Sequence, residues 1–181
     1  MKKFELTDEF VTNVFGKKLF RIKALVAFGN VEKGELGGFI EKEENLSNNG
    51  SAWVSGDAWV SGNAQVSGDA QVYGDAWVYG DARVSGDAWV YGDARVSGNA
   101  QVSGNADYAV VAGFGRYFRT TTFFRCKDKI LRVQCGCFYG DLAQFREIVK
   151  KTHGDSKYAK EYLAIADLME LHFSDECGGE Q

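Results

Sequence analysis

Three thiols, Cys126, Cys135 and Cys137, lie close together in the chain, and His153 follows them. A thiol beside an imidazole can act as a nucleophilic pair, and the same residue types can hold a metal. Cys135 and Cys137 alternate along a predicted strand, which would point both to one side. The competing reading is that small buried thiols fill a tight β layer. The fourth cysteine, Cys177, stands apart, and the four show no CxxC spacing, so they read as thiols of a reducing compartment. His153 precedes Gly154 at a predicted helix end, where the helix dipole favours a cation. His172 is placed on an apolar helix face. From these residues no catalytic residue, metal site or cofactor is assigned.

A second set of groups is basic: Arg116, Arg119, Arg125, Lys127, Lys129 and Arg132 stand among aromatic residues. Such a set can contact an anion or a nucleotide, or it can be a solvated hairpin partly paired with acidic residues. Charge is segregated along the chain. Residues 51–107 carry two basic and seven acidic side chains, whereas residues 108–151 carry nine basic and three acidic. An acidic middle beside a basic segment predicts contact within the chain or between copies. The overall net charge of −4 argues against general nucleic-acid binding. Asp57, Asp75 and Asp93 could stack as a cation ladder, but they read first as turn residues.

The elements that position these groups follow from a repeat. From Val54 to Asp107 the phrase V-[SY]-G-[DN]-A-x runs nine times without insertion, with Val at 54, 60, 66 and so on to 102. Val and Ala are two positions apart in A-x-V, so both face one side of a strand. Gly followed by Asp or Asn tolerates positive φ and closes a turn. Each six-residue unit therefore makes one side of a prism, and three units complete a coil of 18 residues.

This pattern resembles the left-handed parallel β-helix of hexapeptide-repeat proteins, with an aliphatic residue (Val54 to Val102) and a small residue four later (Ala58 to Ala106). The fold class expected is mainly β, a left-handed β-helix with two caps. Residues 1–50 are read as an N-terminal hairpin turning at Phe15-Gly16, followed by an irregular first coil. Residues 51–107 form the β-helix of about three coils. Residues 108–181 form a small α+β unit with a hairpin at the DK turn and two helices. Asp141 is the expected N-cap of the first helix, with Leu142, Phe145, Ile148 and Val149 on its apolar face. Asp155 is the expected cap of the second, whose stripe is Tyr158, Tyr162, Ile165, Met169 and Phe173.

The whole arrangement resembles a group of phage and prophage proteins. The shared features are RIKALVAF…GELGGFIEKEENLS, GNA/GDA hexapeptides and RTTTFFRCKD…CGCFYG…THGDSKYAKEYL. Members of that group are often labelled hexapeptide transferases or polymer-forming proteins, from the repeat alone. The resemblance implies a bacterial host cytoplasm and carries no catalytic residues. The N-terminus lacks a continuous apolar stretch of the signal-peptide kind, and no apolar run approaches the ~20 residues of a membrane span. Hexapeptide acyltransferases use a histidine on the β-helix and a protruding loop. The γ-class carbonic anhydrases need three histidines. Here the repeat has neither a histidine nor an insertion, and the chain has two histidines in all.

Side chains 18 apart should stack in columns. One face then carries Trp53, Gln71 and Trp89, with Ser55, Tyr73 and Tyr91 beside them. The next carries Trp59, Trp77 and Arg95, with Ser61, Tyr79 and Ser97. The third, with Gln65, Arg83 and Gln101, is polar. Stacked aromatics can simply stabilise the coil, but an exposed aromatic face is usually covered by something. The expected function is binding rather than catalysis, through Trp53, Trp59, Trp77, Trp89, Tyr73, Tyr79, Tyr91 and Arg95. The expected partners are a second copy of the chain and a host bacterial protein, as in a counter-defence inhibitor. The alternatives are a sponge that sequesters a nucleotide signal, using Arg116, Arg119, Arg125, Lys127 and Arg132, and a hexapeptide acyltransferase.

Overall fold

The repeat winds into a β-solenoid of about four turns. The structure is a computed structural model that describes residues 2–174; Cys177 lies outside the described residues. A hairpin of β1 (Phe4–Thr12) and β2 (Lys18–Ala24) comes first, followed by β3 (Leu36–Ile40). The x-V pairs of the repeat are then nine two-residue strands. They are β4 (Trp53–Val54), β5 (Trp59–Val60), β6 (Gln65–Val66), β7 (Gln71–Val72), β8 (Trp77–Val78), β9 (Arg83–Val84), β10 (Trp89–Val90), β11 (Arg95–Val96) and β12 (Gln101–Val102).

These strands sort into three parallel sheets in steps of three. The sheet orders are β4-β7-β10, β6-β9-β12 and β3-β5-β8-β11, the last continued by β2 and β1. Registers are one turn apart, as in Trp53↔Gln71, Trp59↔Trp77 and Gln65↔Arg83. The stretch before the regular repeat supplies most of a turn. Phe39 and Ile40 pair with Trp59 and Val60, and Leu46 bridges Val66. Every Val from Val54 to Val102 and every repeat Ala from Ala52 to Ala100 is fully buried, so the interior is a column of β-branched and small side chains. Ala106, expected to continue it, is exposed because the chain turns into a short 3-10 helix there. Glycine closes the corners because they need positive φ: Gly68 has φ +68°, and a Cβ there would lie 3.0 Å from the backbone N and O of Gly86. Backbone crowding between stacked corners, as well as dihedral preference, keeps that letter constant.

Both ends of the solenoid are plugged. At the first turn, Phe4, Ile22, Ala24 and Val31 join the interior cluster. The buried Lys3 donates from Nζ to the Ala52 carbonyl at 2.8 Å and lies 4.6 Å from the centre of the Phe28 ring. Burial pulls its pKa down to about 8, against the raising effect of Asp69. Asn45 closes another corner, donating to the Gly62 and Ala64 carbonyls at 3.1 and 2.8 Å.

The last turn is covered by an antiparallel sheet of β13 (Tyr108–Phe114), β14 (Arg119–Arg125), β15 (Leu131–Cys135) and β16 (Phe138–Asp141). Alternation along β14 divides the sheet's two faces. Phe124 belongs to the solenoid cluster and Phe123 to a second cluster beneath the helices. Thr122 accepts from the Arg95 N–H at 3.0 Å, and Ala100 bridges Cys126. Helices α1 (Leu142–His153) and α2 (Lys157–His172) pack on the far face through residues that include Phe145, Val149, Tyr162, Ile165, Ala166 and Met169.

The caps of α1 lie where its sequence places them: Asp141 accepts from the Gln144 N–H, and Gly154 ends the helix with φ +56°. Four details differ from the sequence expectations. Ser156, not Asp155, caps α2 through a hydrogen bond from the Ala159 N–H. Ile148 and Tyr158 are exposed, because the sheet covers only one side of each helix. His172 is also exposed and meets the Phe173 ring edge-on at 4.8 Å. Cys135 and Cys137 do not share a strand face, since Cys135 pairs with Phe138 across a tight turn at Gly136-Cys137. No helix of the described residues is long and apolar enough to cross a membrane.

Candidate functional site

The x letters of β5, β8 and β11 build a ladder on one face of the solenoid. Trp59 and Trp77 stack with centroids 4.7 Å apart and planes within 7°. The Arg95 guanidinium closes the ladder 4.6 Å from the Trp77 ring centre. At the other end Phe39 sits in register with Trp59, and Arg21 lies 4.2 Å from the centre of the Phe39 ring. The stacked pair Trp59–Trp77 is thus capped by a guanidinium on its Trp77 side, and a second guanidinium, that of Arg21, covers Phe39 in the preceding turn. Tyr79, in the neighbouring column, stands between Ser61 and Ser97 and stacks on no ring among the described residues.

Two loops raise walls on this floor. The β1–β2 turn projects Val14 and Phe15, the latter 80% exposed. Its shape is set by Asn13, whose Oδ1 accepts from the Phe15 and Lys17 N–H groups at 3.0 Å. Its base is tied to the solenoid by Lys17 and Glu41 at 2.8 Å, while Glu41 also accepts from the Gly62 N–H. Burial opposes ionisation of Glu41, but these two hydrogen bonds hold its carboxyl below the usual carboxylate range. The opposite wall is the β15–β16 turn. Gln134 donates to the Gly136 carbonyl at 2.8 Å and is paired with the buried Ser97 hydroxyl at 3.2 Å. Tyr139 packs directly over Gly98, where a Cβ would collide with its phenol.

The half-open cleft between these walls has a volume of about 410 Å³ and is lined by Trp59, Trp77, Tyr79, Arg95, Phe15, Cys137 and Tyr139, among others. A cleft of this size with aromatic walls and few polar groups fits a small molecule or a side-chain cluster. It opens into a second hollow where Arg95, Arg119, Asp93 and Cys137 meet. Neither Arg95 nor Arg119 forms an ion pair among the described residues.

The eight aromatic and arginine positions of the expected surface fall in three settings. Trp59, Trp77, Tyr79 and Arg95 form the cleft floor. Trp89, Tyr91 and Tyr73 lie on the adjacent face, the first two about half exposed at 51% and 52%. Trp53 is no surface residue: it is 2% exposed, covered by the ring of Phe28 at 5.4 Å. The irregular segment around Phe28 folds over this face, a docking that no repeat period encodes.

The five basic positions scatter too. Arg116 and Arg119 flank the exposed Tyr117 ring at 5.5 and 5.1 Å on the β13–β14 turn. Lys127 is exposed on the β14–β15 turn. Arg125 faces Asp107 at 3.8 Å and donates to the Phe173 carbonyl, and Arg132 pairs with Asp128 at 2.8 Å. These two are held by the fold, so the five do not converge on one anion site.

The thiols are likewise dispersed. Cys126 is buried in the solenoid end, and burial pushes its pKa up to about 11. Cys135 packs toward the helices, receiving a hydrogen bond from Thr121 at 3.2 Å. Cys137 is exposed in the cleft wall. His153 stacks on Tyr162 at 5.9 Å, within the helical unit. No group of three or more His, Cys, Asp and Glu suited to a metal occurs among the described residues. The sequence marks Phe15 only as part of a hairpin turn and gives Tyr139 no role. The exposed apolar letters at a hairpin tip were the available signal for Phe15.

Residues 64–80, 70–86, 76–92 and 88–104 match a family described as YdcK beta solenoid repeat. Comparison with curated proteins gives no match. The chain is therefore a repeat β-solenoid protein by both its fold and its repeat.

Proposed function

We propose that this protein is a non-catalytic capture protein that takes hold of another polypeptide through the aromatic cleft on the Trp59–Trp77 face. The observation that carries the reading is the position of Phe15, an 80% exposed ring held at the rim of an aromatic-floored cleft. An apolar side chain held in water at the edge of such a cleft favours a partner that covers both. The uninterrupted six-residue period supports a left-handed winding of the hexapeptide type. The resemblance to phage and prophage proteins supports a host bacterial protein as partner, in the bacterial cytoplasm, with counter-defence inhibition as the role. The second exposed tip, with Tyr117 and Phe118 at 63% and 73% exposure, supports self-association as well.

Capture from bacterial lysate tests the reading. Wild-type protein is expected to retain a partner that a Trp59→Gln/Trp77→Gln variant does not, with the variant still folded. Equal retention by the two proteins would remove the cleft from recognition.

The meeting of Arg95 and Arg119 beside the cleft favours one second reading, a sponge for a nucleotide. Against it, Trp77 is already covered by Arg95 on one face and by Trp59 on the other, which leaves neither of its faces for a base. Calorimetry with a nucleotide panel decides between them: heat that Arg95→Gln abolishes supports the sponge, and silence removes it.

A further inference from the structure

The face next to the cleft carries an aromatic cluster that lacks the cation its neighbours possess. Tyr73 and Tyr91 stack at 5.5 Å, and Trp89 stands against Tyr73 at 6.3 Å with planes 81° apart. Tyr108 buttresses the cluster from below, edge-on to Tyr91, and its hydroxyl donates to the Trp89 carbonyl. Burial and the neighbouring Tyr91 and Tyr73 raise the Tyr108 pKa, so the buttress stays a neutral donor. Trp89 and Tyr91 are about half exposed, at 51% and 52%.

Several aromatic rings elsewhere in the chain are covered by its own cations. Lys3 covers Phe28, Lys18 covers Phe10, Arg21 covers Phe39, Arg95 covers Trp77 and Arg125 approaches Phe173. Among the described residues no lysine or arginine reaches Tyr73, Trp89 or Tyr91 in this way. Grooves of about 610 and 370 Å³ run on either side of Trp89, sharing Tyr73 and Trp89. No basic residue of the described chain lines either groove, and their charged groups are Asp93 and Asp69.

We propose that the Tyr73–Trp89–Tyr91 corner is a binding site for an arginine side chain presented by an extended, basic segment of a polypeptide partner. Two rings near a right angle offer a guanidinium one π face and a second wall, and Asp93 supplies the countercharge. Two grooves that meet at Tyr73 and Trp89 suit an extended segment better than a compact ligand. Arginine fits the corner better than lysine because its planar group stacks on a ring while donating to a carboxylate. The same chain uses this chemistry where Arg21 covers Phe39 and donates to the Glu9 carboxylate at 2.8 Å. The corner shares no lining residue with the cleft, although Asp93 also borders the hollow beside it.

The test uses the full chain and a labelled glycine–serine peptide carrying arginines, read by fluorescence anisotropy. Trp89→Gln, Tyr91→Ser and Asp93→Asn each substitute a letter the repeat already uses at that position, so the coil is kept. Trp89→Gln and Tyr91→Ser are expected to weaken binding about five- to tenfold, and Asp93→Asn about threefold. Trp59→Gln, which alters the cleft, is expected to leave the affinity unchanged, which separates failure here from failure of the cleft. A glutamate version of the peptide is expected not to bind. Equal affinity for wild type and Trp89→Gln would reduce the binding to diffuse attraction by the acidic repeat and overturn the proposal. Tetramethylammonium binding as tightly as the peptide would assign the corner to a small cation instead. A dimer that Trp89→Gln dissociates, with no peptide bound, would give the face to a second copy; either result contradicts the proposal.

Discussion

The guanidinium of Arg95 lies 4.6 Å from the ring centre of Trp77, one turn of the solenoid further on. That contact ends a column in which Trp77 also stacks on Trp59 at 4.7 Å. Replacing Trp77 with Gln, a letter the repeat uses at this position, removes both contacts. It should lower unfolding stability by about 1–2 kcal/mol. Arg95→Gln should lower it by about 0.5–1 kcal/mol. Urea unfolding of the single and double variants gives the coupling, and strictly additive losses would show that the contact is not energetically felt.

The corner glycines should differ in tolerance. Gly68 has φ +68° and meets Gly86, whereas Gly92 has φ +62° with nothing within 4 Å of the added Cβ. Gly92→Ala carries only the dihedral penalty, about 1–2 kcal/mol. Gly68→Ala adds a backbone clash and should lose about 2–4 kcal/mol. Thermal or urea melts of the two variants check the order, and equal losses would contradict it.

Lys3 makes a pH-dependent contribution with a definite sign. Its pKa falls from 10.5 to about 8 on folding, chiefly through burial. Between those values the unfolded chain holds a proton that the folded chain has released. Stability from this group therefore rises as pH climbs from about 8 to 10.5, and is flat outside that window. Cys126 opposes it, since a thiol raised from 9.0 to about 11 resists ionisation in the fold and lowers stability across that range. The difference in unfolding free energy between wild type and Lys3→Met isolates the lysine, and it should grow in favour of wild type across the window. A flat difference would place the amine in water.

Thiol chemistry should be site-selective. Cys137 is exposed, Cys135 is half-buried, and Cys126 is buried with its pKa raised to about 11. In a Cys177→Ser background, maleimide should label Cys137 first and Cys126 only on unfolding. Peptide mapping by mass spectrometry reads the order, and early labelling of Cys126 would contradict the closed solenoid end.

The repeat made the three columns and the buried Val and Ala interior legible, because a period of six carries both strand direction and turn position. Asp141 and Gly154 were legible as helix ends for similarly local reasons. What stayed hidden depends on long-range docking. Trp53 occupies the same repeat letter as Trp89, yet Phe28 covers Trp53 while Trp89 stays 51% exposed. The pairing of Cys135 with Phe138 turned a presumed strand into a corner and moved Cys137 to a different surface. The cleft itself joins residues from three distant segments, Phe15, Trp77 and Tyr139, so no local pattern announces it.

Recognition of a partner by this cleft is tested at its rim. Phe15 is almost wholly exposed, and Tyr79 sits in a column that holds Ser one turn on either side, so Phe15→Ser/Tyr79→Ser should leave the melting curve unchanged. The measurement is the amount of partner retained from bacterial lysate by immobilised wild-type and variant protein at equal loading. The variant is expected to retain at least about tenfold less, in the range for removing two aromatic anchors. Equal retention with equal melting would contradict it.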